Sequence, residues 1–215
     1  MKKMIIYGLG PFAELMNFYF TEDSDYEVVA FTVDKAYMSD SDFLGKPVVE
    51  FESITDNYPP NEYDMFVAIG YKVMKNRGKL YLAAKNKSYK LVNYISSNAI
   101  TYSDLTIGDN NVIMGGVNVE PFVEVGNNNI FWSNTLLGHN LKVGSHNYVS
   151  ACCLLGGDCI IKDYSFICNG AGMINGLSVG NNTKLLPGSM LYHNMPEGTQ
   201  WFGIPAKKIG MVGGK

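Results

Sequence analysis
An apolar residue recurs at every sixth position from Ile107 to Leu191, with no skip and no insertion. The series passes through Ile113, Val119, Val125, Phe131, Leu137, Val143, Val149, Leu155, Ile161, Ile167, Met173, Val179 and Leu185. An amphipathic α-helix repeats its apolar residues at 3.6 and a half-buried strand alternates at 2, so neither fits. A hexapeptide period is the mark of a parallel β-helix, in which three short strands make one triangular coil of eighteen residues. Each apolar side chain then points into the prism, above its counterpart in the coil before. Glycine follows the apolar residue at Gly108, Gly126, Gly144 and Gly180, and only Lys162 interrupts that grid. These glycines are expected at corners, where freedom from a Cβ admits unusual backbone angles. Asn110, Asn111, Asn127, Asn128, Asn181 and Asn182 are expected there too, as turn residues.

Residues 1–96 read differently, as strands alternating with helices. Met4 to Tyr7 is a short apolar strand, and Gly8-Leu9-Gly10 a turn with Pro11 as first helical residue. That helix is expected to run to about Phe20. Strands are expected over Glu27 to Val33, Asp64 to Ile69 and Lys90 to Ile95, with a helix from about Lys72 to Lys87 whose buried face holds Val73, Leu80 and Ala84. The stretch from Phe43 to Asn61, with Pro47, Pro59 and Pro60, reads mostly as loop with a short helix near Phe51–Asn57. The expected architecture is thus a small Rossmann-like parallel sheet over 1–96, followed over 97–215 by the β-helix and a C-terminal cap. Ligands of such sheets bind beyond the carboxyl ends of the strands. Those ends are Gly8 to Phe12 (with Gly10 and Pro11), Asp34 and Lys35, and Gly70 and Tyr71. Gly8-x-Gly10-x-x-Ala13 fits a loose dinucleotide fingerprint, with Asp34 placed for a ribose hydroxyl. A domain of this length suits a mononucleotide moiety better than a whole dinucleotide, and a plain tight connection is the other reading of the turn.

A net charge of −3 gives no basic footprint for nucleic acid. No apolar run approaches the roughly 20 residues of a membrane span, and the opening MKKMIIYGLG is too short for a signal-peptide core. The expected location is the cytoplasm. Cys152, Cys153, Cys159 and Cys168 form no CxxC pair and read as reduced thiols, buried in the repeat. The three histidines are the groups to weigh. His139, in Leu-Gly-His-Asn, points outward from the prism as a candidate general base. His146 reads as a solvated turn residue, and His193 lies past the last full repeat. The three project from different directions, so a metal site is not expected. The flat apolar sides and threefold section of the prism favour a homotrimer.

The chain as a whole resembles the bacterial nucleotide-sugar N-acetyltransferases of the sialic-acid and bacillosamine type, within the hexapeptide-repeat acyltransferases. The resemblance rests on Ile-Ile-Tyr-Gly-Leu-Gly at the start, Leu-Gly-Lys-Pro-Val at 44–48 and Val-Ala-Ile-Gly at 67–70. It continues through Val-Asn-Tyr-Ile-Ser at 92–96, Leu-Gly-His-Asn at 137–140 and Gly-Ile-Pro-Ala-Lys-Lys-Ile at 203–209. It implies a left-handed coil, a homotrimer, acetyl-CoA as donor and a nucleotide-linked amino sugar as acceptor, held by its nucleotide over Gly10, Asp34 and Gly70. It implies direct transfer without an acyl-enzyme, with His139 as base. Gly157, one coil beyond His139, matches the glycine that approaches the acetyl group, where a backbone N–H would face the developing oxyanion. Asn169 and Gly170 would flank the pantetheine arm. Lys207 and Lys208 are candidates for the CoA phosphates or, equally, a solvated charge pair. Two residues depart from the pattern. Asn140 stands where the family places an acid beside the base, and Tyr148 where it often has a second histidine. Sugar O-acetylation, transfer of a bulkier acyl group and a non-catalytic scaffold are the alternatives.

Overall fold
The computed structural model describes residues 1–70 and 74–213. The chain divides into two compact units, Met1–Tyr94 and Ile95–Lys215.

In the first unit, β1 (Lys2–Tyr7), α1 (Pro11–Glu22), β2 (Tyr26–Val33), β3 (Asp42–Phe43), β4 (Lys46–Glu50), α2 (Ile54–Asn57), β5 (Asp64–Val67) and α3 (Met74–Asn86) follow in order. The sheet order is β3-β4-β2-β1-β5, all parallel except the β3 edge. Met4, Ile5, Ile6 and Tyr7 of β1 are all buried, as a central parallel strand covered on both faces requires. From α1, Ala13, Met16 and Phe20 turn inward at spacings of three and four, and the Phe20 ring meets Phe66 edge-on at 5.2 Å. Met16 and Phe20 each contribute about 1.5–3 kcal/mol on burial.

Three expectations need correcting in this unit. Lys46–Glu50 is a strand beside β2 rather than loop, and Pro47 is accommodated because only the two-residue β3 lies outside it. The buried face of α3 carries Arg77, Gly78, Tyr81 and Ala84, with Leu80 only partly covered. Val73 and the start expected at Lys72 lie outside the described residues. The strand expected from Lys90 shrinks to a bridge between Leu91 and Met65, followed by Tyr94–Ile95.

In the second unit, fifteen two-residue strands from Thr106–Ile107 to Met190–Leu191 stack into three parallel walls. The coil is the left-handed β-helix. Wall 1 stacks Thr106–Ile107, Glu124–Val125, Lys142–Val143, Ile160–Ile161 and Ser178–Val179. Wall 2 contains Ile130–Phe131 and Tyr148–Val149, and wall 3 Leu136–Leu137 and Leu154–Leu155. Of the six-step apolar series all but Ile107 are buried. Wall 2 is prolonged by Thr199–Gly203, parallel to Lys184–Leu185, and then by Ala206–Met211, which turns back antiparallel. The C-terminal cap is therefore an extension of the sheet.

The corner glycines serve a purpose other than the one expected. Gly126 and Gly144 do not take positive φ; a Cβ on Gly126 would lie 2.6 Å from the Gly144 carbonyl oxygen of the next coil. Close approach between coils excludes a side chain there. The left-handed angles fall two residues later, on Asn110, Asn128, His146, Tyr164 and Asn182.

Candidate functional site
His139 follows the wall 3 strand Leu136–Leu137, at the corner leading into wall 1. Leu137 is inside the prism, and two residues on the ring is outside it, its side chain 47% exposed. The ring leans along the coil axis over Gly157, one coil on. A Cβ on Gly157 would sit 2.5 Å from Nε2 and 2.6 Å from Cε1 of His139, so any larger residue would evict the imidazole. The His139 backbone N–H donates to Glu120 Oε2 at 2.7 Å.

Behind the ring, Asn140 and Asp158 stack one coil apart, both with φ of 58°. Asn and Asp tolerate this left-handed conformation better than most residues. Their shared backbone geometry stacks the side chains, and Asn140 Nδ2 donates to Asp158 Oδ1 at 2.9 Å. The same nitrogen is 3.2 Å from His139 Nδ1, while Asp158 Oδ2 is 3.8 Å from Nδ1. A carboxylate thus stands in the next coil, linked to the ring through the Asn140 amide rather than by direct contact. Sequence inspection around His139 misses Asp158; writing the repeat out in columns of eighteen finds it, directly above Asn140.

The other residues expected at a donor site are dispersed along the coil. Tyr148 lies on wall 2, buried between Trp132 and Phe166, whose ring it meets at 5.1 Å. Asn169 and Gly170 form the corner between walls 2 and 3, at the opposite edge of wall 3 from His139. Lys207 is exposed on Ala206–Met211, in the prolongation of wall 2. The Gly157 N–H, expected to face an oxyanion, donates to Asn175 Oδ1 at 3.1 Å. What Gly157 provides here is room for the imidazole.

His146 is buried rather than solvated. It stacks on Tyr164 at 4.6 Å, and its Nδ1 is 2.8 Å from Asn128 Nδ2. Among the described residues no group of three His, Cys, Asp or Glu side chains is placed to hold a metal ion. Cys153, Cys159 and Cys168 are buried and Cys152 is exposed. Burial pushes the Cys153 thiol up to about 12, which suits packing rather than nucleophilic attack.

In the first unit, the strand ends bring Gly8 to Phe12, Asp34 and Gly70 to one edge of the sheet. Gly8 has a φ of +138°, and a Cβ on it would lie 2.8 Å from the Ala68 carbonyl oxygen. A Cβ on Gly10, by contrast, would meet nothing within 4 Å, so its Cα faces open space. Pro11 removes one N–H from the start of α1, and the Ala13 and Glu14 amides donate to the Gly10 carbonyl. That helix end is correspondingly poor in donors for a phosphate. Phe12 packs on Phe66 and lies beside Gly70. The Asp34 carboxylate accepts from the Tyr7 hydroxyl, and Tyr7 stacks on Phe51 at 4.2 Å. Burial and then the Asp34 hydrogen bond raise the Tyr7 hydroxyl far above the usual tyrosine range, keeping it a donor. Lys35 donates through its backbone N–H to Glu52 and through Nζ to Glu50. Tyr7, Glu50 and Glu52 were not anticipated from sequence. Tyr71 lies outside the described residues.

Comparison with known proteins follows the same division into coil and sheet. The family of bacterial transferase hexapeptides (six repeats) matches residues 104–139. The chain carries that repeat. No curated protein matches it. Among solved structures, the acetyltransferase domain of PglB from Neisseria gonorrhoeae is 21% identical with a TM-score of 0.86, covering 97% of this chain and 100% of its own. PerB from Caulobacter crescentus, in complex with CoA and GDP-perosamine, is 22% identical with a TM-score of 0.73, covering 98% of each chain. WeeI from Acinetobacter baumannii is 18% identical with a TM-score of 0.65, covering 97% of this chain and 100% of its own. At these identities the likeness is one of fold, and it extends over both units.

Proposed function
We propose that this protein is an acyltransferase that moves an acetyl group from acetyl-CoA to the amine of a nucleotide-linked sugar. The observation that carries the reading is the half-exposed His139 ring, held outside the prism over Gly157 and backed by Asn140 and Asp158. An attacking amine is neutral and sheds a proton as its bond to the thioester carbonyl carbon forms; a histidine imidazole is the side chain most often used to accept such a proton. The C–N bond forms, the C–S bond breaks, His139 takes the amine proton, and the CoA sulfur leaves and is protonated to the thiol. A carboxylate near the ring faces the positive charge the imidazole acquires. Two structures sharing the fold over nearly their whole length carry acetyl-CoA in one case, CoA and GDP-perosamine in the other, which supports this donor and class of acceptor.

The first unit would hold the nucleotide at Gly10, Asp34 and Gly70. The open side of Gly10 and the Tyr7-anchored Asp34 carboxylate favour that placement. The dispersal of Tyr148, Asn169, Gly170 and Lys207 favours a homotrimer whose donor site draws these residues from neighbouring protomers. The test is thiol release from acetyl-CoA with UDP-, dTDP- and GDP-linked amino sugars, with mass spectrometry of the product. No release with any acceptor overturns the reading. An ester product, or turnover only with a longer acyl-CoA, redirects it to O-transfer or to a bulkier donor.

A further inference from the structure
The groups behind the imidazole determine where its proton sits. A carboxylate offers only acceptors, whereas an amide offers two N–H donors and one acceptor oxygen. With Asn140 Nδ2 at 2.9 Å from Asp158 Oδ1, the amide presents its donor end to the carboxylate. Turning it over would set two oxygens against each other. One amide hydrogen thus goes to Asp158 and the second points at His139 Nδ1, 3.2 Å away. Nδ1 must then accept, and the neutral ring carries its hydrogen on Nε2. The direct route, an Nδ1–H donated to Asp158 Oδ2, spans 3.8 Å, beyond hydrogen-bonding range. Nε2 is the nitrogen over Gly157, on the ring edge away from Asn140. A carboxylate directly at Nδ1 would select the opposite tautomer, freeing the Nε2 lone pair.

We propose that Asp158 is a positioning residue that works through the Asn140 amide to place the proton of resting His139 on Nε2. The ring then rests as a donor toward the substrate side. It becomes a base at Nε2 only when the amide releases Nδ1 and the half-exposed ring exchanges protons with solvent, losing the one on Nε2 and gaining one on Nδ1 that turns to Asp158. The catalytic half of this inference rests on the acyltransferase reading; the tautomer itself does not.

The test begins without substrate. Ring-nitrogen NMR of ¹⁵N-labelled protein at mildly alkaline pH, with the His139 signals identified by their loss in His139→Gln, reads the tautomer directly. The native protein is expected to show Nε2–H, Asn140→Asp to show Nδ1–H, and Asp158→Gly to show a mixture. All three backbones tolerate the left-handed corner, so the coil should stand. Nδ1–H in the native protein, or an unchanged tautomer in Asn140→Asp, overturns the proposal. With acetyl-CoA and an accepted amino sugar, Asn140→Asp should raise kcat about tenfold at unchanged KM for acetyl-CoA, the scale of groups that orient a reactive imidazole. A switched tautomer with kcat unchanged or lowered overturns the catalytic half. Tautomers that behave as expected in a protein that turns over no acceptor leave the Asp158 assignment standing and remove the acyltransferase reading instead.

Discussion

Two corners of the same coil repeat every eighteen residues and end in opposite states. At the corner between walls 1 and 2, polar side chains form ladders along the axis. Asn129 Nδ2 donates to Asn111 Oδ1 and to the Gly144 carbonyl, while Asn129 Oδ1 accepts from the backbone N–H and the amide of Asn147. Asn147 Oδ1 in turn accepts from the Ser165 N–H, and all four side chains are buried. At the corner between walls 3 and 1, the column holds His139 over Gly157, with Asn140 and Asp158 exposed beside it. The first corner satisfies its polar groups inward and closes the prism. The second turns them outward and leaves an imidazole half in solvent. A shared backbone therefore sets where side chains stack, while the residue chosen at each step decides whether a column closes the prism or faces solvent.

The sharpest way to break this contrast is at the scaffold corner. Asn129→Ala strands the Asn147 N–H and the Gly144 carbonyl, each costing about 1–3 kcal/mol when buried and unmet, while the Asn111 amide oxygen keeps the backbone N–H of residue 129. The expected loss is on the order of 3 kcal/mol or more, read as a fall in Tm, with activity per folded molecule retained. A Tm within a degree or two of the native protein would show that the ladder is ornamental. His139→Ala should do the reverse. Turnover should drop by on the order of 10²-fold while Tm stays nearly constant, since exposed substitutions usually remain within about 0.5 kcal/mol; near-native turnover would remove His139 from the chemistry. Gly157→Ala tests the column from the other side. Its Cβ would have to displace the ring, and about tenfold in kcat should be lost, since misplacement on the ångström scale is costly. Unaltered kcat would mean the ring position above Gly157 is immaterial.

Asp34→Ala in the first unit should raise KM for the nucleotide sugar and leave KM for acetyl-CoA alone, and it separates the two units functionally. The smallest effect is expected at the thiols. Iodoacetamide should modify Cys152 well before Cys153, whose thiol is held up at about 12. Because that folded value exceeds the ordinary ~8.5 of a free cysteine, its stabilising contribution is present below the unfolded pKa and is lost as pH rises toward 12. Equal labelling of the two would contradict the burial.

The coil was legible because its signal is redundant: the inward residues repeat in phase, and no other regular structure uses that step. His139 was legible for the same reason, since its offset from Leu137 fixes it outside the prism. Asp158 was not, because its partnership with Asn140 runs between coils rather than along the chain. Asn111 read as a turn residue for a related reason. Asparagine favours turns, and only the stacked register reveals the buried ladder. In the first unit, local signals conflicted with the tertiary outcome. Pro47 argued against a strand that the neighbouring β2 nevertheless supports. Arg77, a charged residue, gave no sign of the buried helix face on which it lies. Tyr7 gave no sign of its reach to Asp34, which depends on how β1 and β2 end side by side.

The strict register between coils also limits how such a protein can change in length. Losing or gaining a single residue within 107–191 would shift every later column by one place, moving inward residues out and separating Asn140 from Asp158. A duplicated or deleted segment of eighteen residues would instead leave every vertical neighbour matched and displace the cap by one strand spacing, about 4.8 Å. Lineages built on this coil are expected to differ in height by whole storeys, with the floor that holds His139 keeping its plan while the number of floors around it varies.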